Sequence, residues 1–159
     1  NFSRHNLHKW VKFRSAPTAV YAIFECKPTI NKGYIEYAEK KAGSVRRMHR
    51  TSVAISHAGG VFGPKKPFRI LAGLLAPQAS WADGLGQAFR QNLTTDNAFS
   101  LDCGCALEHG CFDFHDAELL VTAEQGALMF FLFRLLSRLQ TLGTVPAIDW
   151  AAYGRIIKA

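Results

Sequence analysis

Residues 20–31, with the sequence VYAIFECKPTIN, constrain the fold more than any other stretch of the chain. Hydrophobic and β-branched residues dominate the first half, which predicts a buried strand over residues 19–27. A glutamate and a lysine, Glu25 and Lys27, nevertheless stand at its end. Because side chains alternate along a strand, these two point to the same side. Unpaired charges are costly in a protein interior, so the two must pair, reach the surface or serve chemistry.

The residues that follow fix where this pair lies. Pro28 has no N–H to donate to a neighbouring strand, so regular pairing is expected to end there. Asn31 is a good helix cap, and the apolar spacing after it predicts a helix from about Lys32 to His49. We therefore expect Glu25 and Lys27 on one face of a central strand, at its end and beside a cleft.

The order of the remaining elements predicts an α/β domain with a mixed central sheet flanked by helices. Residues 19–159 are expected to form this single domain, after a basic segment, residues 1–18, without clear structure. The helix predicted over residues 117–142 is apolar around most of its circumference, which favours a core position or a homo-oligomer interface. The other predicted elements are a long loop at 56–67, a strand from Phe68, a short helix at 81–93, a hairpin turning near Glu108–Gly110 and a terminal helix at 148–157.

Positive charge is concentrated in the first half of the chain. Residues 1–70 hold 14 Lys and Arg against 3 Asp and Glu, a balance of +11, whereas residues 71–159 hold 5 against 9, a balance of −4. This asymmetry favours a polyanion partner, DNA or RNA held through its phosphates, although a solvated basic face explains it as well. The candidate contacts are Lys40, Lys41, Arg46, Arg47, Arg50, Lys65 and Lys66.

The apolar stretches of the sequence are too short to cross a membrane. None of them reaches the 18 or more residues that a membrane span needs, and the first 15 residues lack the apolar centre of a signal peptide. We therefore expect a cytoplasmic protein with no membrane partner.

Four cysteines, Cys26, Cys103, Cys105 and Cys111, do not form a disulfide-rich pattern, so we expect them to be reduced. Three of them lie close to His109 and offer ligand types that zinc accepts. However, Cys103 and Cys105 are separated by one residue, whereas structural zinc sites use C-x₂₋₄-C knuckles. The spacing therefore argues against zinc, and small buried cysteines explain the pattern.

A carboxylate and an ammonium side by side at a strand end suit metal-assisted phosphodiester cleavage. The carboxylate of Glu25 would hold Mg²⁺, and Lys27 would position a water or stabilise the charge that develops on phosphate. From the spacing alone, an ordinary ion pair is the simpler interpretation, because E-x-K is a very short pattern.

Longer blocks of sequence carry a resemblance. The stretches AVYAIFECKPTINKGYIEYAEKKAGSVRRMHRTS, ISHAGGVFGPKKPFRILAGLLA, CALEHG and VPAIDWAAYG resemble an uncharacterised bacterial domain family of unknown function, over roughly residues 17–157. The strand with Glu25-Cys26-Lys27, followed by a helix, also resembles the second half of the PD-(D/E)xK nuclease motif. This resemblance implies a restriction-endonuclease-like core and Mg²⁺-dependent phosphodiester hydrolysis, with Glu25 as metal ligand and Lys27 as catalytic lysine.

The chain departs from that nuclease motif in one respect. PD-(D/E)xK nucleases complete the metal site with an upstream aspartate, but residues 1–24 contain no Asp and no Glu. The resemblance therefore implies a core that is incomplete on its N-terminal side and inactive or nearly so. The alternative is a non-catalytic module that binds nucleic acid or protein, in which Glu25 and Lys27 form a structural pair. Four residues could supply the missing carboxylate if the fold brings one close to Glu25: Glu36, Glu39, Asp102 and Asp113.

Overall fold

The computed structural model describes residues 20–96, 98–116, 118–122 and 126–142. Chain contacts divide these residues between two compact units. One contains residues 21–48 and all the described residues from 68 to 142, and the other contains residues 49–67 together with Val20. In chain order the elements are β1 Ala22–Cys26, β2 Thr29–Ile30, α1 Lys32–Arg46, β3 Ile55–His57, β4 Gly60–Phe62, β5 Leu71–Ala76, β6 Gln78–Ala79, α2 Gln87–Asn92, β7 Cys103–Ala106, β8 Gly110–His115, β9 Glu118–Val121 and α3 Ala127–Leu142.

The larger unit is built on a five-stranded mixed sheet in the order β1-β5-β7-β8-β9. The first three strands are parallel, and β8 and β9 continue the sheet antiparallel. The prediction of an α/β fold with a mixed central sheet is confirmed. Within the part of the chain that the structure describes, however, β1 pairs only with β5 and forms one edge of the sheet. The expectation that Glu25 and Lys27 lie on a central strand is therefore wrong for these residues.

The helix α1 begins where the sequence predicts, because the Asn31 side chain accepts a hydrogen bond from the Tyr34 N–H at 2.9 Å. Its apolar positions Ile35, Ala38 and Ala42 are buried in the main core. Gly43 is required at the next buried position, since a Cβ there would lie 2.5 Å from the Phe99 ring. The helix ends at Arg46, three residues earlier than predicted.

The helix predicted over residues 117–142 is shorter than expected. Residues 118–121 instead form β9, which pairs with β8 and extends the sheet. Gly126 adopts a positive φ of 79°, and α3 begins directly after it. The short sequence ELLV is apolar enough for a helix or a strand, and it forms a strand because it pairs with β8.

Two other predicted elements also differ, and one lies outside the described residues. The helix at 81–93 is confined to α2, and the stretch at 56–67, predicted as a loop, contributes to a small hairpin, β3 paired with β4. The terminal helix predicted at 148–157 falls on residues that the structure does not describe. None of the helices in the described ranges has the length and apolar character needed to span a bilayer.

Candidate active site

Glu25 and Lys27 meet at the carboxyl end of β1. Glu25 lies opposite Leu74 of β5, and the Lys27 N–H donates to the Leu75 carbonyl at 2.9 Å, so the backbone remains in register up to Lys27. The two side chains form an ion pair, with 3.2 Å between Lys27 Nζ and Glu25 Oε2. The Lys27 side chain is 19% exposed and that of Glu25 is 30% exposed. The pair is therefore on one face, as the alternation along the strand predicts, and is accessible from solvent.

Two tyrosines on α1, which the sequence analysis did not single out, complete the surroundings of Lys27. The Lys27 ammonium lies 4.2 Å from the centre of the Tyr37 ring and 5.6 Å from that of Tyr34. Both distances fall within the range of a cation–π interaction. The signal was present in the sequence, because residues three apart on a helix share a face and this helix begins five residues after Lys27.

None of the four candidate carboxylates forms a metal cluster with Glu25. Within the described ranges there is no group of three or more His, Cys, Asp or Glu side chains that could hold a metal ion. Glu39 is buried in α1 and accepts a hydrogen bond from the Thr94 N–H at 2.8 Å. Burial raises the pKa of Glu39, and the nearby Glu36 adds to this rise, while the Thr94 bond opposes it.

Asp102 and Asp113 are instead engaged by arginines. Asp102, which directly precedes β7, is approached by Arg46 at 2.5 Å and Arg69 at 3.2 Å, and it accepts a hydrogen bond from the Ala72 N–H at 2.7 Å. Asp113, on β8, is 1% exposed and lies 2.6 Å from Arg134 and 2.7 Å from Arg138. Both carboxylates therefore balance buried or half-buried cations.

Arg46 is the clearest correction among the predicted nucleic-acid contacts. Its side chain is 7% exposed and donates to three backbone carbonyls, those of Ile70, Ala98 and Ser100, besides Asp102. Burial lowers the pKa of Arg46 to about 10, against the opposing effect of Asp102. A guanidinium held in this way ties α1 to the sheet and is not presented to a phosphate backbone.

The other predicted basic contacts remain at or near the surface. Lys40 and Arg47 are exposed, and Arg47 lies over the Phe99 ring at 5.3 Å. Lys41 and Arg50 are partly buried, and the Lys41 ammonium is 5.4 Å from the Tyr37 ring. The two lysines that follow β4 in the smaller unit, Lys65 and Lys66, are also exposed.

The cysteines differ from the expectation of four reduced thiols. Cys105 and Cys111 face each other across β7 and β8 and form a disulfide, while Cys26 and Cys103 are free. The tight turn between the strands places the two sulfur atoms together, which a spacing of six residues does not reveal by itself. Burial raises the pKa of Cys103 to about 12. The fourth zinc candidate, His109, accepts a hydrogen bond from the Ala79 N–H through its Nδ1 at 3.2 Å.

A cavity of about 490 Å³ lies away from the Glu25–Lys27 pair. Its lining includes Arg69, Asp102, Asp116 and Arg138, but neither Glu25 nor Lys27. The two arginines and two aspartates of the lining balance each other in charge, so the cavity has no surplus that would select an anion or a cation.

Comparisons with known proteins give a consistent result. The chain is 43% identical over 140 residues to the endodeoxyribonuclease NucC of Escherichia coli (strain MS 115-1), covering 86% of this chain and 58% of that protein. It is also 43% identical over 143 residues to the endodeoxyribonuclease NucC of Pseudomonas aeruginosa, with the same two coverages. This chain is homologous to NucC endonucleases. It spans somewhat more than half the length of these relatives. No protein-family model matches it.

Solved structures of NucC share the fold. The cAAA-bound form of the E. coli protein superposes with a TM-score of 0.85 at 40% identity, over 89% of this chain and 60% of that one. The cAAA-bound form of the P. aeruginosa protein also gives 0.85 at 40% identity, over 90% and 61%. The apo form of the E. coli protein gives 0.81 at 40% identity, over 89% and 64%. The expected restriction-endonuclease-like core is thus confirmed, whereas the assignment to a family of unknown function is corrected, because the relatives have a named activity.

Proposed function

We propose that the chain is the core of a metal-dependent DNA endonuclease, and that Glu25 and Lys27 are two of its catalytic residues. The observation that carries the proposal is the solvent-accessible Glu25–Lys27 ion pair at the carboxyl end of a strand, in a chain that shares its fold with NucC. The endodeoxyribonuclease activity named for the relatives supplies the substrate, DNA.

Lys27 is suited to the charge changes of phosphodiester hydrolysis. Negative charge grows on the phosphate oxygens in the transition state, and a fixed ammonium beside them stabilises it. The Glu25 carboxylate lies 3.2 Å from that ammonium and neutralises its charge before the phosphate binds. In the NucC-like site, Glu25 would also be a ligand for Mg²⁺, which normally binds oxygen ligands in an octahedral arrangement.

The described residues do not fit a complete magnesium site, because they contain no group of three or more side chains that could hold a metal ion. Among the described residues β1 has one neighbouring strand, β5, and a strand on its other side would lie beside Glu25, since neighbouring strands are about 4.8 Å apart. We propose this edge as the place of the missing carboxylate. Residues 1–24 contain no Asp or Glu, so we propose that a segment other than these residues provides it.

The cleavage activity of this chain by itself is expected to be close to zero. One carboxylate fixes a metal ion poorly against a scissile phosphate, and each ~1.4 kcal/mol of lost transition-state stabilisation lowers the rate tenfold. The measurement is cleavage of single- and double-stranded DNA and RNA with Mg²⁺ or Mn²⁺, beside a Glu25→Ala, Lys27→Ala double variant. Strong cleavage that the double variant lacks would mean that this chain supplies the missing ligand itself.

We propose that DNA is bound through its phosphates by the surface basic residues of α1. Lys40 is exposed and Lys41 partly exposed on the helix, and Arg47, which caps its C-terminal end, is exposed. Binding should weaken steeply as salt rises, because phosphate contacts release counterions. In fluorescence anisotropy titrations, Lys40→Gln and Arg47→Gln should each weaken binding to unrelated DNA sequences alike and lower the salt slope by about one. Glu118→Gln changes an exposed charge elsewhere and serves as the comparison. Affinity that does not change with salt would refute this mode of binding.

We propose a homo-oligomer that uses the outer face of α3. Large apolar side chains lie on that face with substantial exposure, although the opposite face of the helix packs on the sheet: Leu128 49%, Met129 51%, Leu132 39%, Phe133 63% and Leu136 54%. Such a patch is typical of an interaction surface. We expect Phe133→Lys to shift the mass measured by light scattering towards the monomer, whereas Gln91→Lys, at an exposed position of α2, leaves it unchanged. An unchanged mass for Phe133→Lys would place the interface elsewhere.

The cAAA ligand of the two solved NucC complexes is a further candidate partner. We carry it to this chain as a proposal, which calorimetric titration with cAAA tests directly.

A further inference from the structure

We infer that Tyr37, assisted by Tyr34, is a positioning residue that holds the Lys27 ammonium at the end of β1. The inference rests on the proposed function, in which Lys27 is catalytic, but its geometry stands independently of cleavage. Within the part of the chain that the structure describes, the Lys27 ammonium pairs with the Glu25 carboxylate and lies over two aromatic rings.

The ring of Tyr37 restricts a side chain that would otherwise be mobile. A lysine ammonium sits on a flexible four-carbon stem, and a single ion pair at partial exposure holds it weakly. The face of an aromatic ring carries negative potential, and at 4.2 Å from its centre the ammonium is well within the attractive range. Tyr34 is farther away, at 5.6 Å, so its share is expected to be smaller.

The Glu25 carboxylate and the Tyr37 ring both hold the Lys27 ammonium, but different events would weaken the two contacts. The Glu25 carboxylate is the proposed metal ligand, and a cation bound to it would weaken its attraction for Lys27. The Tyr37 ring is not a metal ligand, and although the Lys41 ammonium also lies over it, that contact is longer, at 5.4 Å against 4.2 Å for Lys27. The ring belongs to a helix that is capped by Asn31 and buried on its other side. Tyr37 therefore keeps the ammonium in place when Glu25 is engaged elsewhere, which a catalytic lysine requires.

The test is the chemical reactivity of individual lysines in the full chain. Trace labelling with acetic anhydride, followed by peptide mass spectrometry, gives a rate for each lysine amine. In the unmodified chain Lys27 should react more slowly than the exposed Lys40, which serves as the internal reference. Tyr37→Leu should raise the Lys27 rate about tenfold, equivalent to ~1.4 kcal/mol, because the amine leaves the ring more often. Tyr34→Leu should raise it less.

The conservative variant separates positioning from general destabilisation. Tyr37→Phe retains the ring and should leave the Lys27 rate within about twofold of the parent, since the attraction comes from the ring face. Tyr37 is 40% exposed, so the leucine variant is expected to fold, and the unchanged rate of Lys40 together with a urea titration verifies this. An unchanged Lys27 rate in folded Tyr37→Leu overturns the inference. The labelling result does not depend on DNA cleavage, so a failure of the nuclease proposal is distinguishable from a failure of this one.

Discussion

Asp102→Asn is expected to lower the free energy of unfolding by about 3–5 kcal/mol, the usual effect of breaking a buried ion pair from one side. The Asp102 side chain is 8% exposed and that of its partner Arg46 is 7% exposed. Asparagine preserves the shape but removes the charge, so Arg46 would remain buried without its counter-charge. The Asp102 carboxylate also accepts the Ala72 N–H, and it therefore joins α1, β5 and the residue that precedes β7 at one point.

Urea unfolding measures this effect as a fall in the midpoint without a change in slope. The matched control is Asp116→Asn, because Asp116 is 91% exposed and its contact with His115 lies in solvent. That variant should change the free energy of unfolding by less than about 0.5 kcal/mol. If Asp102→Asn lowered the free energy of unfolding by less than about 1 kcal/mol, water would have to reach Arg46, and the ion pairs of Asp102 would contribute little to stability.

The contacts among Arg46, Asp102 and Arg69 also show why the role of Arg46 could not be predicted from the sequence. Arg46 and Arg47 are adjacent in a basic helix, and composition treats them alike. A helix turns by about 100° per residue, so one guanidinium points to the sheet while the other meets solvent and the Phe99 ring. The decisive partner of Arg46 lies 56 residues further along the chain, and only the fold brings it there.

Local rules predicted the elements that depend on local signals. The Asn31 cap, the start of α1, the common face of Glu25 and Lys27, and the hairpin between β7 and β8 all follow from neighbouring residues. Two of the predictions that failed depend on distant partners. Residues 118–121 form a strand because they pair with β8, and the position of β1 at an edge of the described part of the sheet depends on how all the strands pair.

Within the framework of a complete relative, the chain is expected to support DNA cleavage that depends on Glu25 and Lys27. The experiment replaces the matching 140 residues of E. coli NucC with those of this chain and keeps the remainder of the relative. If the missing carboxylate comes from a segment beside β1, the remaining part supplies it, and the hybrid should cleave plasmid DNA with Mg²⁺. The chain alone should not.

Single substitutions in the hybrid then separate a catalytic pair from a structural one. Lys27→Met should lower the cleavage rate about 100- to 1,000-fold, the usual cost of removing one group that stabilises transition-state charge. Glu25→Gln should have a loss of similar size, because an amide neither balances Lys27 nor binds Mg²⁺ strongly. Lys40→Met removes the same charge from an exposed position on α1 and should weaken DNA binding without a comparable loss in the rate at saturating DNA. If a folded hybrid with Glu25→Gln cleaves as fast as its parent, the pair is only a salt bridge, and the non-catalytic alternative for this site is correct.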